Sequence, residues 1–212
     1  MISIFRILIC IQLYRAIFHH LPTKTQNNLD LLQYLIVNTK DPFGPSGVAR
    51  DAIIGVKNIE TAKLLIELGA DVHAKGEDNS SALHYLPYLE VTKLLISMGL
   101  DVNTRDKWGN TPLHLGQETA NTPWMLETLA YLIKSGADVN ATNDYGETPL
   151  HVMANGCYFD YAKLLLRVGA DVNAKNKNSD SPLHATAFRG ESCIEVAKLL
   201  LANGADINAS NQ

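Results

Sequence analysis

Four histidines recur at one place each in a repeated phrase: His84 in SALH, His114 and His151 in TPLH, and His184 in SPLH. Imidazoles returning at regular intervals raise the question of a metal centre, because neutral histidine is the commonest metal ligand among side chains. The intervals of 30, 37 and 33 residues argue against one. Side-by-side copies of a helical unit lie roughly 8–10 Å apart, whereas a zinc–nitrogen bond is about 2.0–2.1 Å. No single ion reaches two successive copies, so no metal site is expected.

Nucleophilic and phosphate chemistry lack their local frames as well. The chain contains no G-x-S-x-G turn, no G-x-x-x-x-G-K-[ST] loop and no H-E-x-x-H pair. Cys157 and Cys193 read as small apolar residues rather than nucleophiles. Asp71, Asp101, Asp138, Asp171 and Asp206 recur in step with the histidines, and a carboxylate at a turn bonds nearby backbone N–H groups more readily than it forms an acid–base pair. The expectation is a protein with no catalytic residues, no cofactor and no enzymatic activity.

Composition narrows the partners. With 46% hydrophobic and 19% charged residues the chain can bury a core. Its 18 basic and 22 acidic residues leave a formal charge of −4, which disfavours binding to nucleic acid through phosphate contacts. Cys10, Cys157 and Cys193 are odd in number and follow no framework spacing. No disulfide is therefore expected, and a reducing compartment, the cytoplasm, is favoured.

The elements that carry the histidines come from a second phrase: GADVHAK at Gly69, GLDVNTR at Gly99, GADVNAT at Gly136, GADVNAK at Gly169 and GADINAS at Gly204. Its spacings of 30, 37, 33 and 35 keep step with the first phrase. Thr111, Thr148 and Ser181 are N-cap residues, and Pro112, Pro149 and Pro182 stand where a helix tolerates proline best. A first helix thus begins at each TPLH. A second helix, as in YAKLLLRV, ends at a glycine that supplies a left-handed closing residue. An extended Asp-Val-Asn and a turn rich in Asn, Asp and Gly follow. A unit of helix, turn, helix and hairpin-like loop cannot bury both its faces, so copies stack into a solenoid.

A period near 33 with these phrases resembles the ankyrin repeat, over residues 43–212. The resemblance implies an all-α, ankyrin-repeat solenoid of helix-turn-helix units joined by hairpin-like loops. It also makes the four histidines structural hydrogen-bonding residues. The expected organisation is a helical N-terminal segment over 1–42, read as an eroded capping repeat. About five repeats follow over 43–212: a degenerate one at 43–77, then 78–106, 107–143, 144–176 and 177–212. Pro87 should cut one first helix short. Residues 116–122 should bulge as a loop ahead of a fresh helix start at Thr122-Pro123. Ser179 holds a turn position that Gly109 and Gly146 fill elsewhere, so its turn is expected to differ.

What remains for function is a surface. In ankyrin-repeat proteins partners usually occupy the concave face of loop tips and first helices. By position, the candidates are Lys107, Trp108 and Asn110, then Asp144, Tyr145 and Glu147, then Lys177, Asn178 and Asp180. Asn155, Phe188 and Arg189 are placed on first helices facing the same groove. Trp, Tyr and Arg are enriched among interface hot spots, and Trp108 and Tyr145 are expected to form a neighbouring ring pair. The leading expectation is a non-enzymatic protein–protein interaction module with a protein partner.

A second expectation comes from the opening MISIFRILICIQLYRAIFHHL. Arg6 and Arg15 bracket only eight residues, too few for a membrane span of about 20. The first reading is a helix packing on its neighbour. The alternative is a secreted effector, exported into a host cell, or a membrane-associated adaptor located by residues 1–21. The last repeat lacks a polar outer face, so self-association through it is also expected.

Overall fold

The computed structural model describes residues 58–211 except 68, 69, 77, 86, 87, 115–122 and 188. The expected N-terminal segment 1–42 and the loop at 116–122 lie outside the described residues. Seven α-helices are described: α1 (Ile59–Glu67), α2 (Leu89–Ser97), α3 (Pro123–Lys134), α4 (Pro149–Asn155), α5 (Phe159–Arg167), α6 (Pro182–Ala187) and α7 (Ile194–Ala202). Three 3₁₀ turns join them, at Ala82–Tyr85, Pro112–His114 and Gly190–Cys193. There is no strand among the described residues.

Local chemistry explains the boundaries. Pro123, Pro149 and Pro182 are the first residues of their helices, where the missing N–H costs nothing. The SALH copy, followed by Pro87, forms only the 3₁₀ turn Ala82–Tyr85, the shortening expected there. Gly99, Gly136, Gly169 and Gly204 adopt φ of 91°, 96°, 94° and 89°. The next residue then donates its N–H five positions back, as in Ala137 to Leu132 O and Ala170 to Leu165 O, both at 3.0 Å. That closing bond satisfies a carbonyl the helix would leave orphaned.

The elements form two layers. The histidine-bearing turns and helices neighbour one another in order, from Ala82–Tyr85 through Pro112–His114 and α4 to α6. Behind them run α1, α2, α3, α5 and α7, each beside the next. One leucine per copy holds this second layer together: Leu65, Leu95, Leu132 and Leu200 are fully buried and Leu165 is 4% exposed. Burying such a side chain contributes about 1.5–3 kcal/mol. Leu83, Leu113 and Leu150 do the same between the layers.

One expectation fails here. The turn at Ser179 does not differ from its counterparts. Ser179 takes a left-handed φ of 62°, beside 75° at Gly109 and 76° at Gly146. The Asn176 N–H reaches Asp180 O at 2.9 Å, as Asp106 reaches Asn110 O and Asn143 reaches Glu147 O. The stacked tips impose the conformation, and serine accepts the strain.

Candidate functional site

The histidines are the mortar between copies. His84 Nδ1 accepts the Ser81 N–H at 2.9 Å, His114 accepts that of Thr111 at 3.0 Å, and His151 accepts that of Thr148 at 3.2 Å. A nitrogen that accepts from an N–H carries no proton, so Nε2 holds the ring proton and donates it. Its acceptors are Asn110 O at 3.1 Å, Glu147 O at 3.0 Å and Asp180 O at 3.0 Å, each in the following copy. Thr148 and His151 close a reciprocal capping box, with histidine in the place usually held by Glu or Gln. Both ring nitrogens of these three residues are engaged, which leaves no lone pair for a metal. Burial holds all three below the ordinary value of 6.5, against the opposing pull of the backbone carbonyls and neighbouring carboxylates.

The recurrent acidic residues are likewise structural. Asp71, Asp101, Asp138, Asp171 and Asp206 each accept the N–H two residues on, at 2.8–2.9 Å. Asn103, Asn140 and Asn173 then bridge to the next copy. Asn140, for example, donates to Gly169 O at 3.2 Å and accepts the Asp171 N–H at 2.8 Å.

The loop tips are hydrogen-bonded within themselves and to one another. Asp106, Asn143 and Asn176 each accept two N–H groups of their own loop at one side-chain oxygen, at 2.8–3.0 Å. Neighbouring tips are joined by backbone rungs: Lys107 N–H to Asp78 O at 2.8 Å, Asp144 N–H to Trp108 O at 2.9 Å, and Lys177 N–H to Tyr145 O at 3.0 Å. Arg105 adds bonds from Nη1 to Gly109 O at 3.0 Å and Thr142 O at 2.7 Å.

The candidate residues divide into two groups on this frame. Lys107, Trp108, Asp144, Tyr145, Lys177 and Asn178 are exposed, with Trp108 at 40% and Tyr145 at 58%. Asn110, Glu147 and Asp180 are half-buried, and their carbonyls receive the histidine protons. Their side chains are also bonded: Asn110 Oδ1 accepts from Asn143 Nδ2 at 3.0 Å, and Asp180 Oδ1 accepts from Asn211 Nδ2 at 2.7 Å. Asn155 is exposed at the end of α4. Arg189 is exposed but follows α6 instead of lying on it, because that helix ends at Ala187. Phe188 lies outside the described residues.

Two sequence expectations need correction. Trp108 and Tyr145 do not pair. The Trp108 ring lies under Lys107 Nζ, 4.2 Å from its centroid, and Lys107 also forms an ion pair with Asp78. Adjacent tips align their backbones, which leaves each side chain free to choose a partner on its own tip, as Trp108 does with Lys107, or on the neighbouring one, as Lys107 does with Asp78. The second correction concerns cysteine. Cys157 and Cys193 form a disulfide across 36 residues, with Cα atoms 4.7 Å apart. Odd number and irregular spacing were the wrong signals. A separation of one repeat plus a short insertion brings the same turn of adjacent copies together. The premise for expecting a reducing compartment goes with it.

An exposed aromatic group outside the candidate set also emerges. Tyr85 and Tyr88 are 46% and 42% exposed, and Tyr88 packs edge-on against Trp124 with ring centroids 4.6 Å apart. The sequence signal was position: Tyr88 immediately precedes α2 and Trp124 is the second residue of α3, so both stand at the start of second helices in adjacent copies. Among the described residues no helix is long and apolar enough to cross a membrane.

A family model described as "Ankyrin repeats (3 copies)" matches residues 49–143 and, again, residues 120–211. No curated protein matches the chain.

Proposed function

We propose, from the premise that this chain belongs to the ankyrin-repeat family, that it binds a partner protein across the row of exposed tip residues. Ankyrin repeats are protein–protein interaction modules and are typically non-enzymatic, and the reading for this chain is binding without catalysis. One observation carries it. Lys107–Trp108, Asp144–Tyr145 and Lys177–Asn178 are exposed in succession on tips that backbone rungs join. Preorganised aromatic and charged side chains lose little freedom on binding, which favours affinity. Asn155 and Arg189 flank the same surface in this reading, and Asn110, Glu147 and Asp180 set the spacing of the tips beneath it.

The test is capture of partners by the intact protein beside a variant carrying Trp108→Ala and Tyr145→Ala, with thermal unfolding of both. Loss of a partner at unchanged stability supports the surface. Unchanged recovery of every partner refutes it.

The apolar opening segment favours a second reading, in which residues 1–21 locate the protein as an exported effector or membrane-associated adaptor. A fluorescent fusion lacking those residues separates this from a cytoplasmic module, since only a targeting segment changes the location.

Self-association through the last repeat is a further proposal. Val72 and Val102 are 6% and 7% exposed and Val139 and Val172 are half-buried, whereas Ile207 at the same place is 73% exposed and Leu201 is 40% exposed. Every covered example is covered by another repeat of this chain, which makes a second copy the fitting occupant. Sedimentation velocity across concentration should show association that Ile207→Asp abolishes. A monomer at high concentration counts against it.

A further inference from the structure

The bridge between Cys157 and Cys193 stands at a mechanically exposed point of the stack. Cys157 follows Gly156 in the turn after α4, in a left-handed conformation with φ of 59°. Cys193 closes the 3₁₀ turn Gly190–Cys193 and is the N-cap of α7. The bond therefore ties the turn of one copy to the start of the last described helix in the next.

Its position complements the other contacts of that seam. His151 to Asp180 O, Lys177 N–H to Tyr145 O, Asn173 to Gly204 O and Asp206 N–H to Asn173 all act where first helices begin and second helices end. The disulfide acts where first helices end and second helices begin, the opposite end of the same units. No described repeat covers the far side of this copy, where Ile194, Leu201 and Ile207 are exposed at 45%, 40% and 73%. A unit of a solenoid draws its stability from neighbours, and the seam with the preceding copy is the described support of this one, so what fastens that seam sets how readily the copy opens locally.

We propose that Cys157–Cys193 is a thiol–disulfide exchange site, opened by a dithiol from the Cys157 side, whose redox state decides whether the last repeat stays docked. Cys193 is 1% exposed while Cys157 is partly exposed, so Cys157 Sγ is the sulfur that a thiolate reaches. Attack there breaks the S–S bond, forms a mixed disulfide on Cys157 and releases Cys193 as a thiolate that takes up a proton. The second thiol of the reductant then displaces Cys157. Two electrons and two protons pass from the dithiol, which leaves as a cyclic disulfide, and two thiols remain on the protein. Reduction leaves a unit held by hydrogen bonds at one end, by the Cys193 Sγ contact with Ala154 O at 3.4 Å at the other, and by an apolar seam.

The bond closes a loop of 36 residues. Removing such a constraint shifts the opening equilibrium on the order of a hundredfold or more in the chain-entropy account. The inference does not depend on which partner the tips bind. It adds that Lys177, Asn178 and Arg189 belong to the part of the surface placed under redox control.

Hydrogen exchange of the full chain carrying Cys10→Ser, before and after dithiothreitol, tests it. Before reduction, peptide mapping should find residues 157 and 193 linked. After reduction, amides of α6 and α7 should lose about a hundredfold of protection while those of α2 keep theirs. A Cys157→Ser, Cys193→Ser variant should show the reduced pattern with or without dithiothreitol. Limiting glutathione should leave its mixed disulfide on Cys157. Unchanged protection of α6 and α7, alkylation of both cysteines without reductant, or glutathione on Cys193 would each overturn the proposal. Equal loss of protection in α2 would do so too, because the bond would then support the whole stack.

Discussion

His151 donates from Nε2 to the carbonyl of Asp180, 3.0 Å away and 29 residues later in the next repeat. His84 and His114 make the same reach to Asn110 and Glu147. The ring must be neutral at Nδ1 to accept the Thr148 N–H, so each such contact couples repeat stacking to protonation.

Stability should therefore fall with acid. The unfolded chain takes up protons at the ordinary histidine value of 6.5, whereas burial holds His84, His114 and His151 below it when folded. Below 6.5 the unfolded state binds more protons. The contribution is fully present above 6.5 and is lost as pH falls from there through the depressed folded values. Each histidine contributes a slope of up to about 1.4 kcal/mol per pH unit in that window. Urea midpoints at pH 7.5 and 5.5 measure it, and an unchanged or higher midpoint at 5.5 contradicts the coupling.

The tip turns offer a pair of opposite substitutions. Ser179→Gly relieves a left-handed serine, worth about 1–2 kcal/mol, against the greater flexibility of the unfolded chain, about 0.5–1 kcal/mol. A net gain of up to about 1.5 kcal/mol is expected in chemical denaturation. Gly146→Ala goes the other way. Its new Cβ would stand 2.9 Å from the Lys177 backbone nitrogen, which disturbs the rung to Tyr145 and should cost about 1–3 kcal/mol. A stabilising Gly146→Ala would show that the rung is dispensable.

The two tryptophans should separate function from stability. Trp108 is 40% exposed beneath Lys107, and an exposed cation–π contact is worth about 0.5–1 kcal/mol. Trp108→Ala should therefore change stability by no more than about 1 kcal/mol. Trp124 packs on Tyr88 and against the core, and its truncation should approach the lower end of the 3–5 kcal/mol typical for large core aromatics. Equal losses in the two variants would mean that Trp108 serves the fold.

Position along the stack should decide how far damage spreads. Leu132→Ala empties a fully buried site between described neighbours on both sides, at a cost of about 2–5 kcal/mol. It should lower the midpoint of the whole transition. Leu200→Ala removes an equally buried side chain in a repeat with one described neighbour. Hydrogen exchange should there show loss of protection in α6 and α7 with α2 unchanged. Uniform loss in both variants would argue against repeat-by-repeat cohesion.

The amino-acid sequence by itself determined the repeat, its helix starts at proline, its closing glycines and the turn-bonding aspartates. Each of these depends on residues within three to five positions, where backbone sterics and hydrogen-bond geometry leave little choice. The shortened helix before Pro87 and the helix start at Pro123 were legible for the same reason. Only the tertiary structure decided that Trp108 lies under Lys107, that Tyr88 meets Trp124, that Asn110, Glu147 and Asp180 anchor histidines, and that Cys157 bonds Cys193. Apart from the contact within one tip, those relationships join residues about one repeat apart. Such meetings are set by how copies rise and rotate over one another, and an insertion of a few residues is enough to bring two sulfurs together or keep them apart.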